Sequence, residues 1–195
     1  MALPEDFVEV RVRARPMAPD DRRDAILDAV IPLIKENGRD VSTRQMAEAA
    51  DVAEGTLFRA FGDKESILRA AIERFMDPEP LRNRLRAIDP DDPTEQKVRE
   101  VLAALRERFE GVIGFTMALG LHGPLPRGAR QDGEMWLGIV SRMFGDDELA
   151  VPVETLAYYL RLLAFGSSIP MFNQPHPFDT DELVDLALHG ALPHA

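Results

Sequence analysis

The residues best placed to do chemistry in this chain are polar and small, and they cluster. Glu54, Gly55, Thr56 and Arg59 lie within six positions of one another, interleaved with Leu57 and Phe61. Leu57 and Phe61 are one helical turn apart, so a helix that turns them inward leaves Glu54, Gly55, Thr56 and Arg59 outward. Small residues such as Gly55 and Thr56 let a helix backbone approach another surface closely. Arg59 can reach a phosphate or the acceptor edge of guanine. This is the chemistry of a helix laid in the major groove of DNA.

Such a helix works only if other elements hold it. A DNA-reading pair needs a first helix braced on the backbone, a turn with a hydrophobic residue, and a small residue where the two helices touch. Ala47 supplies the small residue, Asp51-Val52 the turn, and Leu57 and Phe61 the anchors. Ser42 can cap the first helix, over about 43–50, with Gln45 three positions on as a capping-box partner. The second helix spans about 53–60. Before them, Ile26, Val30, Leu33 and Ile34 share one face of a helix predicted over Asp21 to Asn37, stopped by Gly38. Pro32 inside it predicts a bend. After them, Asp63 caps a helix that carries Ile67, Leu68, Ala71, Ile72 and Phe75 inward.

Other chemistries find little support. With no cysteine, disulfides, thiolate metal sites and cysteine nucleophiles are excluded, and a reducing compartment fits. His122, His176, His189 and His194 have no metal-ligand spacing. No glycine-rich phosphate loop or serine nucleophile elbow appears. The acids read as solvated helix faces, with Asp89, Asp91 and Asp92 beside prolines in a linker. The reading is therefore not an enzyme and has no cofactor. No run of about 18 apolar residues exists to span a membrane. The opening MALPEDFVEV lacks a signal-peptide core, so the expected location is cytoplasmic.

Residues 42–68, STRQMAEAADVAEGTLFRAFGDKESIL, resemble the DNA-binding signature of the TetR family of transcriptional regulators. Met46 and Ala47 match its apolar–Ala pair and Val52 its turn residue. Gly55, Thr56, Leu57 and Phe58 match its Gly-Thr-Leu/Ile-aromatic run. Phe61, Lys64, Glu65 and Ile67 match the close of the motif. The resemblance implies phosphate contacts from Thr43, Phe58 and Lys64, and places Arg44, Glu54, Thr56 and Arg59 at or near bases. Three departures stand out. Asp51 occupies a turn position that is usually Gly, Ala60 a position that is often Tyr or His, and Phe58 lacks the hydroxyl of the usual Tyr.

The chain has 195 residues and a formal charge of −11. That charge repels DNA, so any DNA-binding face must be locally positive. Residues 1–76 carry 12 Lys and Arg against 15 Asp and Glu; residues 77–195 carry 11 against 19. Arg11, Arg13, Arg15, Arg22 and Arg23, against Asp20 and Asp21, form a short basic arm at the front. As an extended chain it could reach a groove; otherwise it is a solvated tail. The alternating stretch FVEVRVRAR has no second strand to pair with, so the predicted fold class is all-α.

Further helices are predicted at 81–88, 94–121, 130–144, 153–172 and 180–190. The expected organisation is a basic arm over 1–20, a helix-turn-helix domain over 21–76 and an all-helical ligand-binding and dimerisation domain over 77–195. The resemblance implies this last domain and a small ligand. Its pocket residues are expected among Phe109, Phe115, Met117, His122, Trp136, Met143 and Tyr159, apolar groups with a few polar ones, although such residues also fill cores. Gly111, Gly114 and Gly120 weaken the long helix where a cavity could form, with Gly114 and Ala118 facing it. Leu156, Leu160, Leu163, Leu183 and Leu186 are the expected dimer interface, burial within one subunit being the other possibility. The function expected is a homodimeric regulator, most often a repressor in this family, that binds double-stranded operator DNA of palindromic sequence and is released by a small apolar ligand. The alternative is a helical dimer that carries a small molecule or partner without binding DNA.

Overall fold

The computed structural model describes residues 18–121, 129–173 and 176–190, and these form helices. The arm arginines Arg11, Arg13 and Arg15, the stretch FVEVRVRAR and His122 lie outside the described residues.

Helix α1 (Pro19–Asn37) begins with Pro at its first position, where no N–H is needed, and carries Asp20 and Asp21 in the positive first turn. It runs unbroken through Pro32. That residue is exposed, so the carbonyl it leaves unbonded, four residues back on exposed Asp28, can be met by water. Gly38 ends α1 at φ +59° and opens a single 3-10 turn, Gly38–Asp40.

Helix α2 (Thr43–Ala49) starts with both halves of the expected capping box. The Gln45 N–H donates to Ser42 Oγ at 3.2 Å, and the Ser42 N–H donates to Gln45 Oε1 at 2.8 Å. The turn into α3 (Glu54–Phe61) passes through Asp51, the one non-glycine among the described residues with positive φ, at +51°. Aspartate tolerates that left-handed conformation better than most residues, which is how the turn forms without its usual glycine. The Val52 N–H then donates to the Ala47 carbonyl at 3.0 Å, locking the turn onto α2. Asp63 caps α4 (Lys64–Met76), its carboxylate accepting from the Ser66 N–H at 2.7 Å. That bond holds the Asp63 carboxyl below the usual range.

Beyond come α5 (Glu79–Arg86), α6 (Thr94–Ala118), α7 (Ala129–Phe144), α8 (Val153–Ser168), the single turn α9 (Pro170–Asn173) and α10 (Thr180–His189). Two boundaries differ from expectation. The helix predicted over 153–172 breaks at Ile169, which is extended at ψ 114° because the Pro170 ring disfavours helical backbone in the residue before it. The helix predicted to Leu121 stops at Ala118, where Gly120 takes φ +61° and turns the chain back.

The apolar side chains form two clusters. One joins Ile26, Leu27, Val30 and Ile34 of α1 to Met46 and Ala47, Leu57 and Phe61, and Ile67, Leu68 and Ala71, with Val41 between. The other joins α5 to α8 and α10 through residues such as Leu85, Leu102, Val140, Leu160 and Leu183. Helix α6 belongs to both. Val98, Val101, Leu102 and Leu105 lie in the second cluster, whereas Phe115 and Leu119, at the other end, are buried in the first.

Lys97 is the largest surprise inside. It is 1% exposed. Its Nζ donates to the carbonyls of Pro90 at 2.8 Å and Met143 at 3.0 Å, and to Asp147 Oδ1 at 2.5 Å. Thr94 Oγ1 donates to the other oxygen of Asp147 at 2.7 Å. The ammonium thus ties the 89–93 linker and the end of α7 to the start of α6, with each of its three protons donated.

Candidate nucleic-acid interface

Helix α3 is fixed from beneath by Leu57, fully buried, and Phe61, 8% exposed. Its other residues meet solvent as the spacing predicts. Glu54, Gly55 and Arg59 are exposed and Thr56 is half-buried. A Cβ on Gly55 would meet open space, so the backbone there is unobstructed. Arg59 makes no hydrogen bond or ion pair with the described residues. The Phe58 ring is 40% exposed. Arg22 stands exposed near the start of α1.

Three polar residues are already engaged within the protein. Thr43 Oγ1 donates to Glu54 Oε1 at 2.5 Å, joining the first residue of α2 to the first residue of α3. Arg44 pairs with Glu48 one turn along α2, at 2.9 Å. That bond, with Glu54 as a weaker contributor, raises the affinity of the guanidinium for its proton. Lys64 Nζ donates to the Arg39 carbonyl at 2.7 Å, leaving two protons free. Beside it Arg39 pairs with Glu65 at 3.0 Å.

One arginine of the basic arm serves this face as a brace. The Arg23 guanidinium donates to the Ala60 carbonyl and lies 4.4 Å from the centre of the Phe61 ring. A cation at a helix C-terminus meets carbonyls that lack helical partners, so Arg23 holds down the end of α3 from α1.

The expected pocket residues do not converge. Phe115 is buried in the first cluster, its ring 4.4 Å from that of Phe75. Trp136 and Met143 are buried in the second, with Trp136 Nε1 donating to the Ala157 carbonyl at 3.2 Å. Phe109 meets the edge of Phe165 at 5.3 Å. The Tyr159 hydroxyl donates to the Leu186 carbonyl at 3.4 Å. Met117 is 71% exposed. Gly114 is exposed with open space above it, so it lines no cavity. These residues are alike in type but lie on three helices, and they are divided between two cores and a solvent face. A cleft of about 600 Å³ does open between α5 and α7, lined by Arg86, Glu134, Met135, Gly138, Ile139 and Arg142.

The expected dimer leucines also need correction. Leu156, Leu160 and Leu183 are at most 5% exposed and fill the protomer's own second cluster, with Leu163 half-buried against it. Leu186 is half-buried. The outer face of α8 and α9 carries a different set: Tyr158, Leu162, Phe165, Met171 and Phe172, exposed between 44% and 75%. No group of three or more His, Asp or Glu among the described residues could hold a metal ion. None of the described helices is long and apolar enough to cross a membrane.

Comparison with known proteins agrees with this geometry. Residues 26–71 match the model of the bacterial regulatory proteins, tetR family. Over 58 residues the chain is 45% identical to the HTH-type transcriptional repressor KstR of Rhodococcus jostii; the match covers 29% of this chain and about a quarter, 27%, of that repressor. Two solved structures share the fold. A TetR transcriptional regulator from Streptomyces coelicolor is 22% identical with a TM-score of 0.57, over 89% of this chain and 99% of that one. FadR from Bacillus subtilis, solved in complex with stearoyl-CoA, is 18% identical with a TM-score of 0.51, over 87% and 99%. Residues 26–71 thus carry the signature of the tetR family of bacterial regulatory proteins across α1 to α4, and the two solved structures share the all-helical fold beyond it.

Proposed function

We propose that this chain is a transcriptional repressor that binds a twofold operator as a homodimer and lets go when a small molecule occupies the helical part beyond α4. The observation that carries this reading is the α2–α3 pair. It is anchored by Leu57 and Phe61, left open at Gly55, and edged by polar groups that can reach phosphates and base edges. Lys64 is assigned to a phosphate and Arg44, Glu54, Thr56 and Arg59 to the groove, with Arg11, Arg13, Arg15 and Arg22 adding positive charge; Thr43, its proton given to Glu54, and Phe58, which has no hydroxyl, edge the same surface. Such a protein works in the bacterial cytoplasm, where the chromosome is.

The exposed apolar face of Tyr158, Leu162, Phe165, Met171 and Phe172 supports a dimer, because large exposed apolar patches mark interaction surfaces. The assigned domains are the arm over 1–20, the head over 21–76 and the sensor over 77–195. The open cleft beside Met135 and Ile139 is the candidate ligand site, its apolar floor rimmed by Arg86, Glu134 and Arg142. Helix α6 supports coupling between ligand and DNA, since its two ends lie in the two apolar clusters. A ligand that prefers one placement of α6 would change the spacing of the two α3 helices, with a coupling of typically about 1–3 kcal/mol.

Selection from random duplexes at moderate salt tests this reading. An inverted repeat with half-sites about one helical turn or a multiple apart is expected. Failure to enrich any sequence would leave the alternative, a helical carrier that does not bind DNA.

A further inference from the structure

Glu54 is an odd residue for a DNA-facing edge. A carboxylate near phosphates is repelled by them. Among the described residues no Lys or Arg lies within ion-pair distance of it; Arg44, its nearest cationic influence, is bonded to Glu48. The charge is therefore neither neutralised by a partner nor removed from solvent. Yet it is held in place. Thr43 Oγ1 donates to one of its oxygens at 2.5 Å, so one carboxylate oxygen is occupied and the other is left with its lone pairs free.

In the major groove only two base groups donate hydrogen bonds, the N4 amine of cytosine and the N6 amine of adenine. Adenine sets its N7 lone pair beside that amine, which repels a carboxylate. Cytosine sets only a C–H beside its amine. An oriented carboxylate therefore discriminates for cytosine and against every other base. Resting on the reading that α2 and α3 bind DNA, we infer that Glu54 is a specificity-determining residue that selects cytosine at one position of each operator half-site, and that Thr43 is its positioning residue.

The same chemistry predicts the effect of one-atom changes. Glu54→Gln replaces an acceptor with a donor and can then pair with both N6 and N7 of adenine, the preferred glutamine contact. Thr43→Val keeps the shape and removes the hydroxyl that aims the carboxylate.

The experiment is parallel selection of wild type, Glu54→Gln, Glu54→Ala and Thr43→Val from one random duplex pool, with circular dichroism of each variant to establish folding. Relative binding of the four bases at each position of the wild-type site is the readout. Wild type should favour cytosine at one position per half-site by about tenfold. Glu54→Gln should move that preference to adenine, Glu54→Ala should flatten it, and Thr43→Val should weaken it at that position alone. If wild type and Glu54→Ala select the same base at every position, the assignment of Glu54 is overturned while operator binding stands. If folded wild type selects nothing, the DNA-binding reading fails and this inference with it.

Discussion

Placing a methyl group on Gly38 is the sharpest structural test of how the head meets α6. Gly38 has φ +59° and ψ −137°, a corner of backbone space that residues with a Cβ rarely occupy. Holding alanine there costs roughly 1–3 kcal/mol. The surroundings add to this. An ideal Cβ would overlap the carbonyl oxygen of Ala118 and sit 3.2 Å from its carbon. Both are backbone atoms in the last turn of α6, flanked by buried Phe115 and Leu119, so no side chain can swing aside. Forcing extra volume into packed structure typically costs another roughly 1–3 kcal/mol. Gly38→Ala is therefore expected to destabilise by about 2–6 kcal/mol, a fall in Tm of roughly 4–24 °C for a chain of this size. Gly114→Ala is the internal control. It adds the same atom to an exposed position of α6 with open space around it, and should stabilise by about 0.5–1 kcal/mol through helix propensity. Thermal and urea unfolding of the two variants and wild type measure both. Equal Tm values for Gly38→Ala and wild type would refute the argument that the head is seated on the end of α6.

Lys97→Met should cost about 3–5 kcal/mol in urea unfolding, because the nearly buried Asp147 keeps its charge and loses its partner; adding Asp147→Asn should recover part of the loss. Arg74 bridges α4 to Asp28 of α1 through two bonds of 2.7 and 2.8 Å, and these hold the Asp28 carboxyl below its usual value. Its contribution, about 0.5–1 kcal/mol for a largely exposed pair, is present above the ordinary carboxylate range near pH 4 and disappears as pH falls through the lower native value. Asp28→Asn should thus be less stable than wild type at pH 7, with the difference shrinking as the pH is lowered beneath the ordinary carboxylate range. At the turn, Asp51→Val should lower stability by about 1–2 kcal/mol and Asp51→Gly should be close to neutral, since the left-handed backbone penalises a branched side chain most.

The local elements were legible because short-range chemistry dictates them. Ser42 with Gln45, Asp63 and Gly38 each announce a helix end through one or two hydrogen bonds, and each end lies within a few residues of its expected place. The turn at Asp51 was readable through the resemblance, which sets a glycine there, and aspartate tolerates the left-handed backbone that glycine would take. What an apolar stripe packs against was not legible. Leu156 and Leu160 satisfy the same period whether a partner copy or α6 covers them, and here their own protomer does. Phe115 sits on the same helix as Leu102 but thirteen residues further on, where α6 has passed from one cluster into the other. Nothing in its residue type marked Lys97 for burial, because lysine is seldom buried; its place beside Val98 and next to the 89–93 linker was the available signal. At the interface, residue types were readable but their pairing was not. Thr43 looks like a phosphate donor in sequence, and its proton is given to Glu54, eleven residues away on another helix.

The central claim is that α2 and α3 read DNA in pairs. Binding of the pure protein to a selected duplex, measured by anisotropy across a salt series with stoichiometry from sedimentation, tests it most directly. Two chains per duplex, an inverted repeat in the selected sequence, and affinity falling steeply with salt are expected. Lys64→Ala should weaken binding to all sequences alike and flatten the salt slope by about one unit. One chain per duplex on an asymmetric site, or equal affinity for selected and scrambled duplexes, would contradict the account.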